Sequence, residues 1–223
     1  EMHATLRNVL LNDGGAFAGI IAGHAGAGEG IHIWGSEDAR FMRLGGGGVA
    51  SRGSNNAWGF AAGVDMPVSE TVRVGAAAGF SNDELTVAAA NSHGRMNSGN
   101  AGVYAQVNDG PLSGGLTLSY GWHNIGTLRR VAFTGFGQTV TADYDAHSYN
   151  MTGELRYALE DGLLFDGVST QPFFAISGTR LESDAFTETG GSAALSGASS
   201  NHGVIFTRLG SRFTGSYAMA SGT

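Results

Sequence analysis

The sequence predicts an all-β chain, and the architecture that best accounts for it is an antiparallel up-and-down transmembrane β-barrel. Three observations carry this. Apolar residues alternate with small or polar ones at a period of two over consecutive segments, the pattern of half-buried strands. The connections between segments alternate between tight turns and longer polar stretches, as in a barrel with short turns on one side of a membrane and long loops on the other. The composition fits as well: 38 Gly but 3 Pro in 223 residues, 14 % charged residues and a mean hydropathy of −0.03. Strands with one greasy and one polar face leave the average near zero. A soluble sandwich or β-solenoid also alternates, so alternation alone leaves that reading open.

Composition excludes other classes. With no Cys there is no disulfide or thiolate chemistry. All 12 basic residues are Arg and the net charge is −7, so no strong basic patch faces nucleic acid and no nucleic-acid partner is expected. No stretch approaches the ~18 apolar residues of a membrane-spanning helix, which leaves a barrel untouched.

The elements follow in order. Residues 2–12 place Leu6, Val9 and Leu10 at helical spacing before Asn12-Asp13-Gly14-Gly15, a helix stop, so a short helix is expected there. Residues 16–30 are nearly all small, and continue as helix or run as a thin linker. From Trp34 the period becomes two. Trp58, Phe60, Ala62, Val64, Met66 and Val68 oppose Gly59, Gly63 and Asp65; Val72, Val74, Ala76, Ala78 and Phe80 oppose Arg73, Gly75 and Asp83. Ala101, Val103, Ala105 and Val107 oppose Asn100, Gly102 and Tyr104, and Leu116, Leu118, Tyr120 and Trp122 oppose Thr117, Ser119 and His123. From Val140 to Ala146 the even residues are the less polar set. From Tyr149 to Leu159 the odd ones take over, which implies either a bulge near His147-Ser148 or a section standing clear of the bilayer. Phe174 and Ile176, then Ile205, Leu209, Phe213 and Tyr217, give two more strands, for about eight in all. Tight turns are expected at Ser69-Glu70, Asp109-Gly110-Pro111 and Glu160-Asp161-Gly162, and long polar loops at 45–55, 88–98, 128–137 and 183–200.

The less apolar face carries Asp65, Arg73, Asp83, Glu154, Arg156, Arg208 and Arg212, a mixed-charge set suited to a wet lumen. An ordinary solvated sheet face would carry them equally. Trp34, Trp58, Trp122, Tyr120, Tyr157 and Tyr217 are expected as interface anchors near the rims. No catalytic, cofactor or metal residues emerge. The seven His show no metal-binding spacing. The row Asp143, Asp145 and His147 shares one strand face but reads best as a hydrated strand end. No Gly-x-Ser-x-Gly elbow is present, and Gly45-Gly46-Gly47-Gly48 does not lead into a helix, so phosphate binding fails.

Several strings resemble one family. Trp34-Gly35, Tyr120-Gly121-Trp122-His123, Ala142-Asp143-Tyr144-Asp145, Gln171-Pro172-Phe173, Phe186-Thr187-Glu188-Thr189-Gly190-Gly191 and Leu209-Gly210-Ser211-Arg212 occur in order over about 190 residues. Together they resemble the autotransporter translocator β-domain of type V secretion. The resemblance implies a twelve-stranded barrel in the outer membrane of a Gram-negative bacterium, with an N-terminal helix in the lumen. It implies a translocator that exports a covalently linked N-terminal passenger to the cell surface and is inserted among outer-membrane lipids by the barrel-assembly machinery. Residues 3–11 look like the lumen helix. Residues 1–33 would then be a pore segment and 34–223 the first eight strands. Measured against the family, the passenger and four strands are not in this sequence. The expectation is therefore a piece of a longer translocator, the other account of its length being a barrel closed with eight strands and its N-terminal segment outside; the alternative function is an outer-membrane or soluble β-barrel or sandwich that displays surface loops such as 183–200 for binding.

Overall fold

The computed structural model describes residues 30–44, 53–87, 91–160 and 167–215. Eight strands form one antiparallel sheet: β1 (His32–Leu44), β2 (Gly53–Pro67), β3 (Val72–Val87), β4 (Ser92–Asp109), β5 (Leu112–Phe133), β6 (Phe136–Tyr157), β7 (Val168–Ser183) and β10 (Ser200–Gly215). Between β7 and β10 lies a small hairpin of β8 (Phe186–Thr187) and β9 (Ser196–Gly197). The strands of the large sheet pair in chain order, the expected up-and-down meander, and among the described residues β1 and β10 are its two edges. The expected helix at 3–11 lies outside the described residues.

One face of this sheet is concave. Met96, Val140, Ala146 and Ser148, all on this face, are fully buried, and of the described elements outside the sheet only the β8–β9 hairpin lies against it, beside Val140. A single sheet can bury its own side chains only by curling, so that those of one face crowd together. Pairing then assigns each residue a face. Asp65 opposes Gly75, Gly75 opposes Tyr104, Tyr104 opposes Thr117 and Thr117 opposes Thr152, all inward. Their neighbours Val64, Val74, Val103, Leu116, Leu118 and Met151 point outward.

The ladders from β2 to β6 run without a skipped residue, including β5 against β6 from Leu112↔Tyr157 to Phe133↔Phe136. No bulge therefore interrupts β6 at His147-Ser148. Instead the surroundings change while parity holds. Near the short turns the outer face is apolar over about nine to eleven residues per strand, the length of a tilted transmembrane strand, ending near Trp58, Phe80, Trp122 and Tyr149. Beyond that level the outer face turns polar, with Asn82, Asn97, Asn124, Asp143 and Asp145. The inner face turns apolar there: Leu85, Met96, Ile125, Ala146 and Leu181 form a buried cluster, with Val87 and Tyr144 packed against it. Burying each of the larger of these side chains is worth about 1.5–3 kcal/mol. Of the two readings of β6, the unbroken ladder removes the bulge, and the inversion of polarity fits a section clear of the bilayer.

The expected loop lengths need correction for the same reason. The polar stretches 88–98 and 128–137 are mostly strand: β4 begins at Ser92, and β5 and β6 extend until only Thr134-Gly135 joins them. Gly135 sits at φ +80°, a left-handed conformation that suits Gly at a tight hairpin turn. The stretch 45–55 likewise shortens, since β2 begins at Gly53, whereas 184–199 is a genuine long connection. Conversely, the expected tight turn at 160–162 is a ten-residue connection, 158–167, of which 161–166 lie outside the described residues. The two ends of the sheet still differ. At one end the turns abut the apolar band, and at the other the strands run on past it.

Placing a charge on the outer band in lipid is costly. Val103→Arg should destabilise the full-length protein in lipid vesicles by about 2–4 kcal/mol. Val204→Arg, pointing inward, should cost less, and equilibrium unfolding compares the two.

Candidate functional site

The inner face holds the polar residues that the sequence grouped together. By register, Arg73, Gln106, Gly115, Glu154, Ala175 and Arg208 oppose one another in succession across β3, β4, β5, β6, β7 and β10. Arg212, opposite Gln171, shares that face. Asp65 and Asp83 are 1 % and 3 % exposed, whereas Arg208 and Arg212 lie exposed on the edge strand. Arg156 pairs with Glu154 through Nε and Oε1.

Asp65 is the hub of this face. Its Oδ1 accepts Arg73 Nε at 2.9 Å and Arg73 Nη2 at 2.7 Å, and its Oδ2 accepts the Tyr104 hydroxyl at 2.9 Å. His32 Nδ1 lies 3.3 Å from the same oxygen, and Trp34 Nε1 donates to the Tyr104 hydroxyl at 2.8 Å. Trp34 is thus a lumen residue, 7 % exposed, and the expectation of an interface anchor is wrong for it. Its indole is drawn inward by a partner for its N–H and by room above Gly63, where any Cβ would overlap the ring. Gly75 makes the same room for Tyr104. Two glycines thus allow one aromatic chain to link β1 with β4 across two intervening strands. Trp58, Trp122, Tyr120 and Tyr157 do lie exposed on the outer face, with Trp122 resting on Gly99; Tyr217 lies outside the described residues.

Above the hub the strands β3 to β7 and β10 border a hollow of about 1330 Å³, whose lining takes in the inward Ala77, Gly102, Ser119, Asn150, Thr179 and Val204 and the adjoining Val103, Leu118, Met151 and Ile205. Farther up, His123 is hydrogen-bonded to Ser98 Oγ at 2.8 Å and Ser148 Oγ at 2.9 Å. Among the described residues no carboxylate hydrogen-bonds His123, so the Ser-His-Ser array reads as a satisfied structural bridge.

The Phe186-Thr187-Glu188-Thr189-Gly190-Gly191 motif builds the β8–β9 hairpin and folds it against the inner face of the β5–β6 extension. Glu188, 3 % exposed, receives Arg129 Nε at 3.0 Å and Nη2 at 2.5 Å and the Leu195 amide at 2.9 Å. Glu188 raises the pKa of Arg129, because the bonded carboxylate favours the cation. Thr189 exchanges both backbone hydrogen bonds with Thr141, at 2.8 and 2.9 Å. Gly190 follows at φ +115°, against the Thr139 carbonyl. Phe186 stacks on Tyr144 with ring centroids 5.3 Å apart, and burial pushes the Tyr144 phenol up to about 12. Asp143, Asp145 and His147 all point outward and do not act together: Asp145 accepts Asn124 Nδ2 at 3.0 Å, and His147 meets the Tyr120 hydroxyl at 2.7 Å. Among the described residues no group of His and carboxylates could hold a metal.

Sequence reasoning missed Tyr104, His32, Arg129, Asn150 and Thr179. Tyr104 had a signal, being a large aromatic on a face otherwise made of Asn100, Gly102 and Gln106. The partners of Arg129 lie some 60 residues away and leave no local trace.

An outward apolar band, a polar inner wall and a pairing order without crossovers define a bacterial outer-membrane β-barrel protein. The model of the autotransporter beta-domain matches residues 33–223. The chain belongs to that family, and it is the translocator part of an outer-membrane secretion system. The fold agrees with the translocator domain of autotransporter NalP from Neisseria meningitidis, at 15 % identity and a TM-score of 0.67 over 95 % of this chain and 69 % of that one. It also resembles the ferric yersiniabactin uptake receptor FyuA from Yersinia pestis, at 8 % identity and TM-score 0.52 over 82 % of this chain and 32 % of that chain. Among curated proteins, Esterase EstA from Pseudomonas aeruginosa and from Pseudomonas putida are each 28 % identical over 176 residues, 78 % of this chain and 27 % of theirs. The chain thus spans about a quarter of the length of these relatives.

Two outcomes follow from the site. Asp65→Asn strips a buried guanidinium of its partner and should cost about 3–5 kcal/mol. Glu154→Gln, in a partly exposed pair, should cost under ~1 kcal/mol; heat-modifiable electrophoretic mobility ranks them. Tyr144 titrates higher folded than unfolded, so its contribution is fully present below about pH 10 and is lost as pH rises toward about 12. Phenolate absorbance should show this late titration, and Tyr144→Phe should abolish it.

Proposed function

We propose that this β-domain exports a polypeptide passenger attached on its N-terminal side, with residues 1–33 as the pore segment and the strands from residue 34 onward as the wall. The hollow carries the reading: its inward positions Ala77, Gly102, Ser119, Asn150, Thr179 and Val204 are short or uncharged side chains inside an outward apolar band, which leaves room for a peptide backbone. Such a wall suits transit. The charged residues Asp65, Arg73, Asp83, Glu154, Arg156, Arg208 and Arg212 line this lumen. The open edges of β1 and β10 must be paired in the membrane, because each bare N–H or C=O in lipid costs several kcal/mol. Strands beyond these eight, supplied by the rest of the protein and folded in by the barrel-assembly machinery, would close the wall. The chain itself performs no catalysis. Esterase is the name of the two curated relatives, and among the described residues the Ser98-His123-Ser148 array has no acid that would complete a triad.

The short-turn end faces the periplasm. Protease sites inserted at Thr134-Gly135 should be cut on intact cells and sites at Asp109-Gly110 should not. Cleavage at Asp109-Gly110 from outside would overturn the orientation.

A further inference from the structure

The chain enters β1 at the same end as the short turns, and side chains hold it there in addition to backbone pairing. The Gly30 carbonyl accepts a hydrogen bond from Arg73 Nη2 at 2.9 Å. Gly30 itself sits at φ +97°, where only glycine is at ease. The same guanidinium is fixed by Asp65, which also gathers Tyr104 and lies against His32. All four side chains belong to the inner face. An ion pair serving only to stabilise the wall needs no donor turned toward a carbonyl outside the ladder. Here the guanidinium gives donors both to the Asp65 carboxylate and to that carbonyl. The carbonyl is thereby drawn to the inner side just where a left-handed residue lets the chain turn.

We infer that Asp65, Arg73 and Gly30 form a latch at the periplasmic rim that steers the chain preceding β1 inward, into the hollow, and keeps it from hanging below the barrel. This rests on the proposed placement of the N-terminal segment in the lumen. Arg73 is a positioning residue here: it neither touches a passing chain nor reacts, but sets the direction of the segment. Gly30 supplies an independent handle, since nothing lies within 4 Å of a Cβ built on it. Gly30→Ala therefore strains the turn without a clash and leaves the Asp65-Arg73 pair in place.

The absence of native Cys permits a clean test in the full-length protein in outer membranes. Ala16→Cys is combined in turn with Ser119→Cys and Thr179→Cys on the inner wall, and disulfide formation is measured beside maleimide labelling of Ala16→Cys alone. The parent should cross-link and label slowly. Gly30→Ala and Arg73→Gln should each lower cross-linking several-fold and speed labelling, with heat-modifiable mobility retained in Gly30→Ala. Cross-linking unchanged in both variants would overturn the latch while leaving the segment in the lumen. No cross-link in the parent at either wall position would overturn the placement, and the latch with it.

Discussion

Everything in this fold depends on keeping the backbone paired across an apolar medium. Inside lipid no water can stand in for a missing partner, so the ladders of β2 to β6 run without a skipped residue and no strand can shift by one to suit its side chains. Parity becomes a fixed frame, and the side chains must adapt to it. The membrane-level inner wall accordingly accepts Asp65 at full burial, provided that the partly buried Arg73 satisfies it. The level above accepts Leu85, Met96 and Ile125 on the same inner side, because there the outer side meets water.

That frame explains what could be read from the sequence. The four tidy segments, those beginning near Trp58, Val72, Ala101 and Leu116, lie in the apolar band, where the contrast between lipid and lumen is strong and alternation is plain. β6 was ambiguous because its polarity inverts as it leaves the membrane: Val140, Ala142 and Ala146 are inward, and so are Ser148 and Asn150. A reader of residues sees a change of phase, and the chain has only changed solvents. The polar stretches at 88–98 and 128–137 passed for loops on the same account, since Asn97, Arg95 and Arg130 are ordinary residues for a strand whose outer face is wet.

The site was legible in part. The charges of the inner set fall on one face because a period of two tells faces apart without knowing the curvature. Their partners were not legible. Trp34 reaches Tyr104 only because Gly63 and Gly75 between them have no side chains, a relation spread over four strands and 70 residues of chain. Glu188 meets Arg129 because a long connection folds back inside, 59 residues away in sequence. Resemblance marked the Phe186-to-Gly191 motif but not what it grips.

The β5–β6 hairpin has a consequence of another kind. Its arms continue for about ten residues past the apolar band, which at roughly 3.3 Å per residue is on the order of 30 Å of ribbon. In the orientation proposed above, such a ribbon stands clear of the lipid on the outer side of the membrane. Its tip at Thr134-Gly135 would then be the part of the described chain held farthest from the bilayer. Since the ribbon asks of its outward positions only that they tolerate water, they can change residue by residue without disturbing the wall beneath it.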